Sequence, residues 1–120
     1  MTQESNSSRL PGIKLFDLSG KAAIITGGSK GLGLAMAEGL ASAGANVMLV
    51  SRNLNEGEES ARRITELYGV KAIAFEADVV NKDQTEAMAK AAFEAFGRID
   101  VLINSAGINI RGAIDELQLE

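Results

Sequence analysis

The chain has 120 residues, enough for one domain and too few for two. With 46% hydrophobic and 23% charged residues it has the composition of a folded globular protein rather than a disordered one. A net charge of −4 provides no basic stripe to displace counterions from phosphates, so no nucleic-acid partner is expected, although one or two well-placed cations would still hold a small anion.

The absence of cysteine removes disulfides, thiolate catalysis and cysteine metal sites, and the absence of histidine removes a serine–histidine triad and a histidine-ligated metal. No metal site is expected. Met1 to Gly12 is polar and rich in Ser and Asn, without the apolar centre of a signal peptide. Residues 1–13 therefore read as a flexible leader and 14–120 as the folded unit. No apolar run approaches the roughly 18 residues needed to span a bilayer. A cytoplasmic protein with no membrane partner is the expectation.

Short apolar runs alternate with longer segments of helical spacing. Lys21 to Thr26 reads as a buried strand, followed by a glycine-rich turn. A helix follows from about Gly31 to Ala43, with Leu32, Ala35, Met36, Leu40 and Ala43 at core-facing spacing and Gly44 ending it. Asn46 to Val50 is a second strand, apolar on both faces, as a parallel sheet covered by helices on each side requires. A second helix runs from about Asn55 to Tyr68, with Glu56, Glu58 and Glu59 in its first turns, where the helix dipole favours negative charge. Arg62 and Arg63 lie on its exposed side. Lys71 to Glu76 forms a third strand. A third helix starts near Asn81, with Gln84 three residues on as a capping-box variant, and runs to Phe96, stopped by Gly97. Ile99 to Asn104 is the fourth strand.

This alternation predicts an α/β fold: a Rossmann-like, doubly wound parallel sheet of order 3-2-1-4, truncated after the fourth strand. Right-handed crossovers place the first two helices on one face and the third on the other. Ligands of such sheets bind outside the carboxyl ends of the strands. Four features fall there.

The first is Thr26-Gly27-Gly28-Ser29-Lys30-Gly31-Leu32-Gly33, joining a strand to a helix. Glycines allow positive φ and let backbone N–H groups approach a pyrophosphate, while Gly33 lets the helix start sit close to the sheet. The second is Ser51-Arg52-Asn53, about 20 residues further on, where a carboxylate would take the ribose 2′-hydroxyl of NAD. Ser51 is neutral and Arg52 cationic, with Lys30 a second cation in the glycine loop. A guanidinium fork clamps a 2′-phosphate, so the pair favours NADP(H) over NAD(H); the plainer account is that both are solvated surface charges. The third is Asp78-Val79, past the third strand. The fourth is Asn104-Ser105-Ala106-Gly107, whose small residues leave room for the ribose–nicotinamide half of a cofactor and whose Asn104 amide can bridge neighbouring backbone.

The spacing Thr-Gly-x-x-x-Gly-x-Gly resembles the cofactor loop of the short-chain dehydrogenase/reductase family, and Asn104 to Gly107 resembles that family's Asn-Asn-Ala-Gly motif with Ser105 in the second position. The motifs span Lys21 to Gly107 in the family's order. The resemblance implies that Gly27, Ser29, Lys30, Gly31, Leu32, Gly33, Arg52, Asp78, Val79, Asn104, Ala106 and Gly107 bind the dinucleotide. It implies in particular that Asp78 accepts a hydrogen bond from the adenine amino group, against the simpler reading of a loop carboxylate beside a helix start. It also implies an oxidoreductase that passes hydride between the cofactor and a small alcohol or ketone.

In the family a tyrosine, with a lysine four residues later, donates the proton while a serine positions the carbonyl, and the lysine lowers the tyrosine's pKa. The single tyrosine here, Tyr68, has Ala72 at that spacing and reads as a packing residue at the end of the second helix. No catalytic residue can be assigned. The expectation is a cofactor-binding half, inactive alone and marginally stable, its fourth strand an apolar edge. A non-catalytic nucleotide-binding module or an inactive truncated product are the alternatives. Asn109-Ile110-Arg111-Gly112 faintly resembles sugar-acid and 3-oxoacyl reducing members, although an exposed loop arginine accounts for Arg111 as well. A homo-oligomer of the full-length protein is compatible with the resemblance, since the family often assembles as tetramers.

Overall fold

The computed structural model describes residues 16–105. Within them, β1 (Ala22–Thr26), α1 (Gly31–Ser42), β2 (Asn46–Ser51), α2 (Leu54–Tyr68), β3 (Ala72–Glu76), α3 (Lys82–Phe96) and β4 (Val101–Asn104) follow one another along the chain. The sheet is wholly parallel, in the order β3-β2-β1-β4. This is the order expected from the sequence. The proposed leader, 1–13, lies outside the described residues.

β1 and β2 occupy the middle of the sheet, and their side chains are buried on both faces. Ala23, Ile25, Val47 and Leu49 pack with Ala37 and Ala41 of α1 and Ala61 and Ile64 of α2. Ile24, Met48 and Val50 pack on the opposite face with Met88 and Ala92 of α3. Two helices therefore cover one face and one the other, as right-handed crossovers dictate. Each fully buried aliphatic side chain contributes about 1.5–3 kcal/mol of transfer free energy, so this central pair of strands holds most of the core.

The core face of α1 differs from the one its spacing suggested. Leu32 is 62% exposed and Ala35 is exposed, whereas Gly33, Ala37 and Ala41 are buried. Small residues one turn apart let the helix axis approach the sheet, and the larger Leu34 and Leu40 pack along the flanks. Residue volume, rather than hydrophobicity, chose the contact face. At the helix end Gly44 takes φ +107, the conformation expected of a glycine past a C-terminus.

Asn caps start the other two helices. Asn53 Oδ1 accepts from Glu56 N at 3.1 Å, and Asn81 Oδ1 accepts from Gln84 N at 3.1 Å. The return arm of the expected capping box is redirected: Gln84 Oε1 accepts from the Asp78 amide at 2.6 Å rather than from Asn81. Gly69 and Gly97 close α2 and α3 in the left-handed conformation. Tyr68 is a further correction. It is exposed at the last position of α2, next to the left-handed Gly69 cap, rather than packed.

Among the described residues β4 pairs only with β1, and Leu102 on it and Phe93 on α3 are exposed. No helix among these residues is long and apolar enough to cross a membrane.

Candidate cofactor site

Backbone hydrogen bonds gather the four strand ends into one rim. Gly27 N donates to Val50 O at 2.7 Å, drawing the glycine turn over the end of β2. Ala77 N donates to Ser51 O at 3.0 Å, and Ser105 N donates to Thr26 O at 3.2 Å. The Ser105 hydroxyl also donates to Thr26 O, and Thr26 Oγ1 donates to Asn104 Oδ1 at 2.8 Å. The segments singled out from sequence thus meet at the carboxyl edge of the sheet.

A cleft of about 1170 Å³ opens along this rim. Gly27, Ser29, Lys30, Gly31, Leu32 and Gly33 line it from the turn and α1, Arg52 from beyond β2, and Asp78 and Val79 from beyond β3. Val50, Ser51, Asn53, Glu56, Ala77, Val80 and Ser105 also line it, none of them among the expected contact residues. Asn104 is not among the residues lining this cleft, and its carboxamide oxygen accepts from the Thr26 hydroxyl. Ala106 and Gly107, like Arg111, lie outside the described residues.

Two glycines of the turn do different work. Gly31 has φ +64, and a Cβ added to it would point into open space, so it serves the backbone path and leaves the cleft clear. A Cβ on Gly33 would run into the carbonyl group of Gly27 and lie 2.6 Å from Ser105 Oγ. Gly33 therefore lets α1 begin in contact with the end of β1. The N-cap of α1 is Lys30, and no side chain caps it, in contrast to the Asn caps of α2 and α3. The unpaired N–H groups of a helix's first turn and the positive end of its dipole suit an anion, and neither Gly27 in the preceding turn nor Gly31 at the first position of α1 carries side-chain bulk.

Lys30 and Arg52 are exposed, and among the described residues neither forms an ion pair. Asp78 is partly committed to its own turn, where Oδ1 accepts from Val80 N at 3.2 Å. Ser29 is buried, and its hydroxyl donates to Glu56 Oε1 at 3.1 Å. Ser51 exchanges hydrogen bonds with the backbone of Asn53, donating to its carbonyl at 3.0 Å and accepting from its amide at 3.2 Å. Glu56 was visible in the sequence as an N-terminal helix acid, and nothing in its spacing pointed toward the glycine turn. Among the described residues no group of His, Cys, Asp or Glu is arranged to hold a metal ion.

The sequence model of the short chain dehydrogenase family matches residues 21–120. The chain belongs to that family. It is 36% identical over 107 residues to 2-dehydro-3-deoxy-D-gluconate 5-dehydrogenase of Formosa agariphila, covering 89% of this chain and 40% of the relative. It is 43% identical over 102 residues to gluconate 5-dehydrogenase of Gluconobacter oxydans, covering 85% and 40%. Among solved structures, L-sorbose reductase of Gluconobacter frateurii, complexed with NADPH and L-sorbose, superposes with a TM-score of 0.75 at 38% identity, over 86% of this chain and 39% of that one. The chain thus spans about 40% of the length of the curated relatives it matches.

Proposed function

We propose that this short-chain dehydrogenase chain binds NADP(H) in preference to NAD(H), as the cofactor-holding part of an oxidoreductase acting on a small alcohol or ketone. One observation carries the preference: two cations line the cleft, Lys30 beyond β1 and Arg52 beyond the neighbouring β2, and they form no ion pair among the described residues. No Asp or Glu stands at positions 51–53, where a carboxylate would take a ribose 2′-hydroxyl. The NADPH named for the sorbose reductase structure supports the same reading.

On this reading the amides at the start of α1, with Gly27, Ser29, Gly31, Leu32 and Gly33, hold the diphosphate. Lys30 and Arg52 neutralise the 2′-phosphate, the guanidinium through paired N–H donors. Asp78 and Val79 border the adenine. Asn104, with Ala106 and Gly107, borders the nicotinamide ribose, and the Asn104 carboxamide also fixes the Thr26 hydroxyl. When bound, the nicotinamide supplies hydride chemistry, and the protein supplies orientation and charge. The 120 residues contain no tyrosine with a lysine four positions later, so this chain by itself is proposed to bind the nucleotide without turning over a substrate.

Arg52→Ala tests the preference. A hydrogen bond to a charged group contributes about 1.5–3 kcal/mol, and each 1.4 kcal/mol is tenfold. NADPH affinity is expected to fall about ten- to a hundredfold while NADH affinity changes little. Equal losses for both nucleotides would refute the role of Arg52 in reading the 2′-phosphate.

A further inference from the structure

The cleft contains one anion whose placement the cofactor reading leaves unexplained. Glu56 stands in the first turn of α2, half-buried, and lines the same cleft as Lys30 and Arg52. A glutamate three residues after an Asn cap ordinarily reaches back to the amide of the cap residue. Here the Asn53 amide donates to Ser51 Oγ instead, at 3.2 Å. Released from capping, the Glu56 side chain crosses to the glycine turn, where Ser29 Oγ donates to Oε1 at 3.1 Å. The contact is fixed from both ends. Ser29 is 6% exposed, and its carbonyl accepts from Ser60 Oγ, one helical turn beyond Glu56, at 3.0 Å. Neither Lys30 nor Arg52 pairs with the carboxylate among the described residues, so its charge is not cancelled locally.

We propose that Glu56 is a specificity-determining residue: its carboxylate, tethered by the Ser29 hydroxyl, opposes a 2′-phosphate and holds the NADPH-over-NADH preference below what Lys30 and Arg52 alone would give. This inference rests on the cofactor reading above. The physics is simple repulsion. The tether also occupies the one hydroxyl of the turn that could otherwise donate to the phosphate, so a second loss adds to the first. A ribose 2′-hydroxyl feels neither penalty, and as a donor it can share the carboxylate. The cleft is therefore built to keep NADH as a usable second ligand.

The test is equilibrium titration of the chain with NADPH and with NADH, at low and high ionic strength, for the unsubstituted protein, Glu56→Gln and Glu56→Ala. Glutamine keeps an acceptor oxygen for Ser29 and removes only the charge; alanine removes both, and the cap on the Glu56 backbone amide survives in each. Repulsion across a solvent-exposed cleft predicts that NADPH binds Glu56→Gln about three- to tenfold more tightly, with NADH unchanged or slightly weaker. The gain should shrink in high salt, because exposed charges are screened, whereas a purely structural tether would show no such dependence. Glu56→Ala should tighten NADPH as well. Unchanged or weaker NADPH binding in both variants overturns the inference, and so does an equal gain for both nucleotides. Failure of the unsubstituted, folded chain to bind either nucleotide overturns the cofactor reading itself and the inference with it.

Discussion

Replacing Gly33 with alanine perturbs the closest approach in the site. The added Cβ would lie 2.7 Å from the carbonyl carbon of Gly27 and 2.6 Å from Ser105 Oγ. Carbon atoms rest about 3.5–4.0 Å apart, so α1 must withdraw from the end of β1 by roughly 1 Å, and the obstructing group is backbone that cannot rotate away. Overpacking of this kind costs about 1–3 kcal/mol, occasionally more, and the upper end applies here. At roughly 4–8 °C per kcal/mol for a domain of this size, the unfolding midpoint should fall by about 10–20 °C. Gly39, in the interior of the same helix, is the control. A Cβ there meets nothing within 4 Å, and alanine is preferred over glycine inside a helix by about 0.5–1 kcal/mol. Gly39→Ala should raise the midpoint by a few degrees. Thermal melts followed by circular dichroism give both numbers. A Gly33→Ala midpoint equal to or above that of the unsubstituted chain would refute the close-packing account.

Two further outcomes follow from hydrogen bonds at strand and helix starts. Asp100 Oδ2 accepts from the Ala22 amide at 2.9 Å, and Arg98 forks onto both its oxygens at 2.7 and 2.8 Å. The Arg98 side chain foremost, then the Ala22 amide, hold the Asp100 carboxyl below its ordinary value of 3.8. A depressed folded value means stability that is complete above 3.8 and lost as pH falls through the folded value. Asp100→Asn should therefore lower the urea midpoint near neutral pH, and the two proteins should converge in acid. A constant gap across the titration would contradict that. Asn81→Ala removes the acceptor for Gln84 N and should cost about 1 kcal/mol, measured by urea unfolding; no loss would show that the cap is idle.

Much of the fold was legible because its signals are local or periodic. The all-apolar run Val47 to Val50 announced a strand covered on both faces, and Gly44 and Gly97 announced helix ends. The glycine turn, Arg52, Asp78 and Asn104 were legible as strand-end features, because an alternating β/α pattern sends all such ends to one edge. The contact face of α1 was not, since hydrophobic spacing weights Leu32 and Met36 above Gly33, Ala37 and Ala41, while close packing weights them the other way. Contacts between segments distant in the chain were equally invisible. Nothing in the spacing of Ser29 and Glu56 says that they meet, and the redirected side chain of Gln84 depends on where β3 delivers Asp78.

The central claim is that amides at the start of α1 cradle a diphosphate while Lys30 and Arg52 receive the additional ribose phosphate. A crystal structure of the chain grown with NADPH tests this most directly. The expected result is density for the diphosphate at Gly31 to Gly33 and the 2′-phosphate within hydrogen-bonding distance of both cations. An empty cleft at saturating NADPH, with Lys30 and Arg52 extended into solvent, would contradict it.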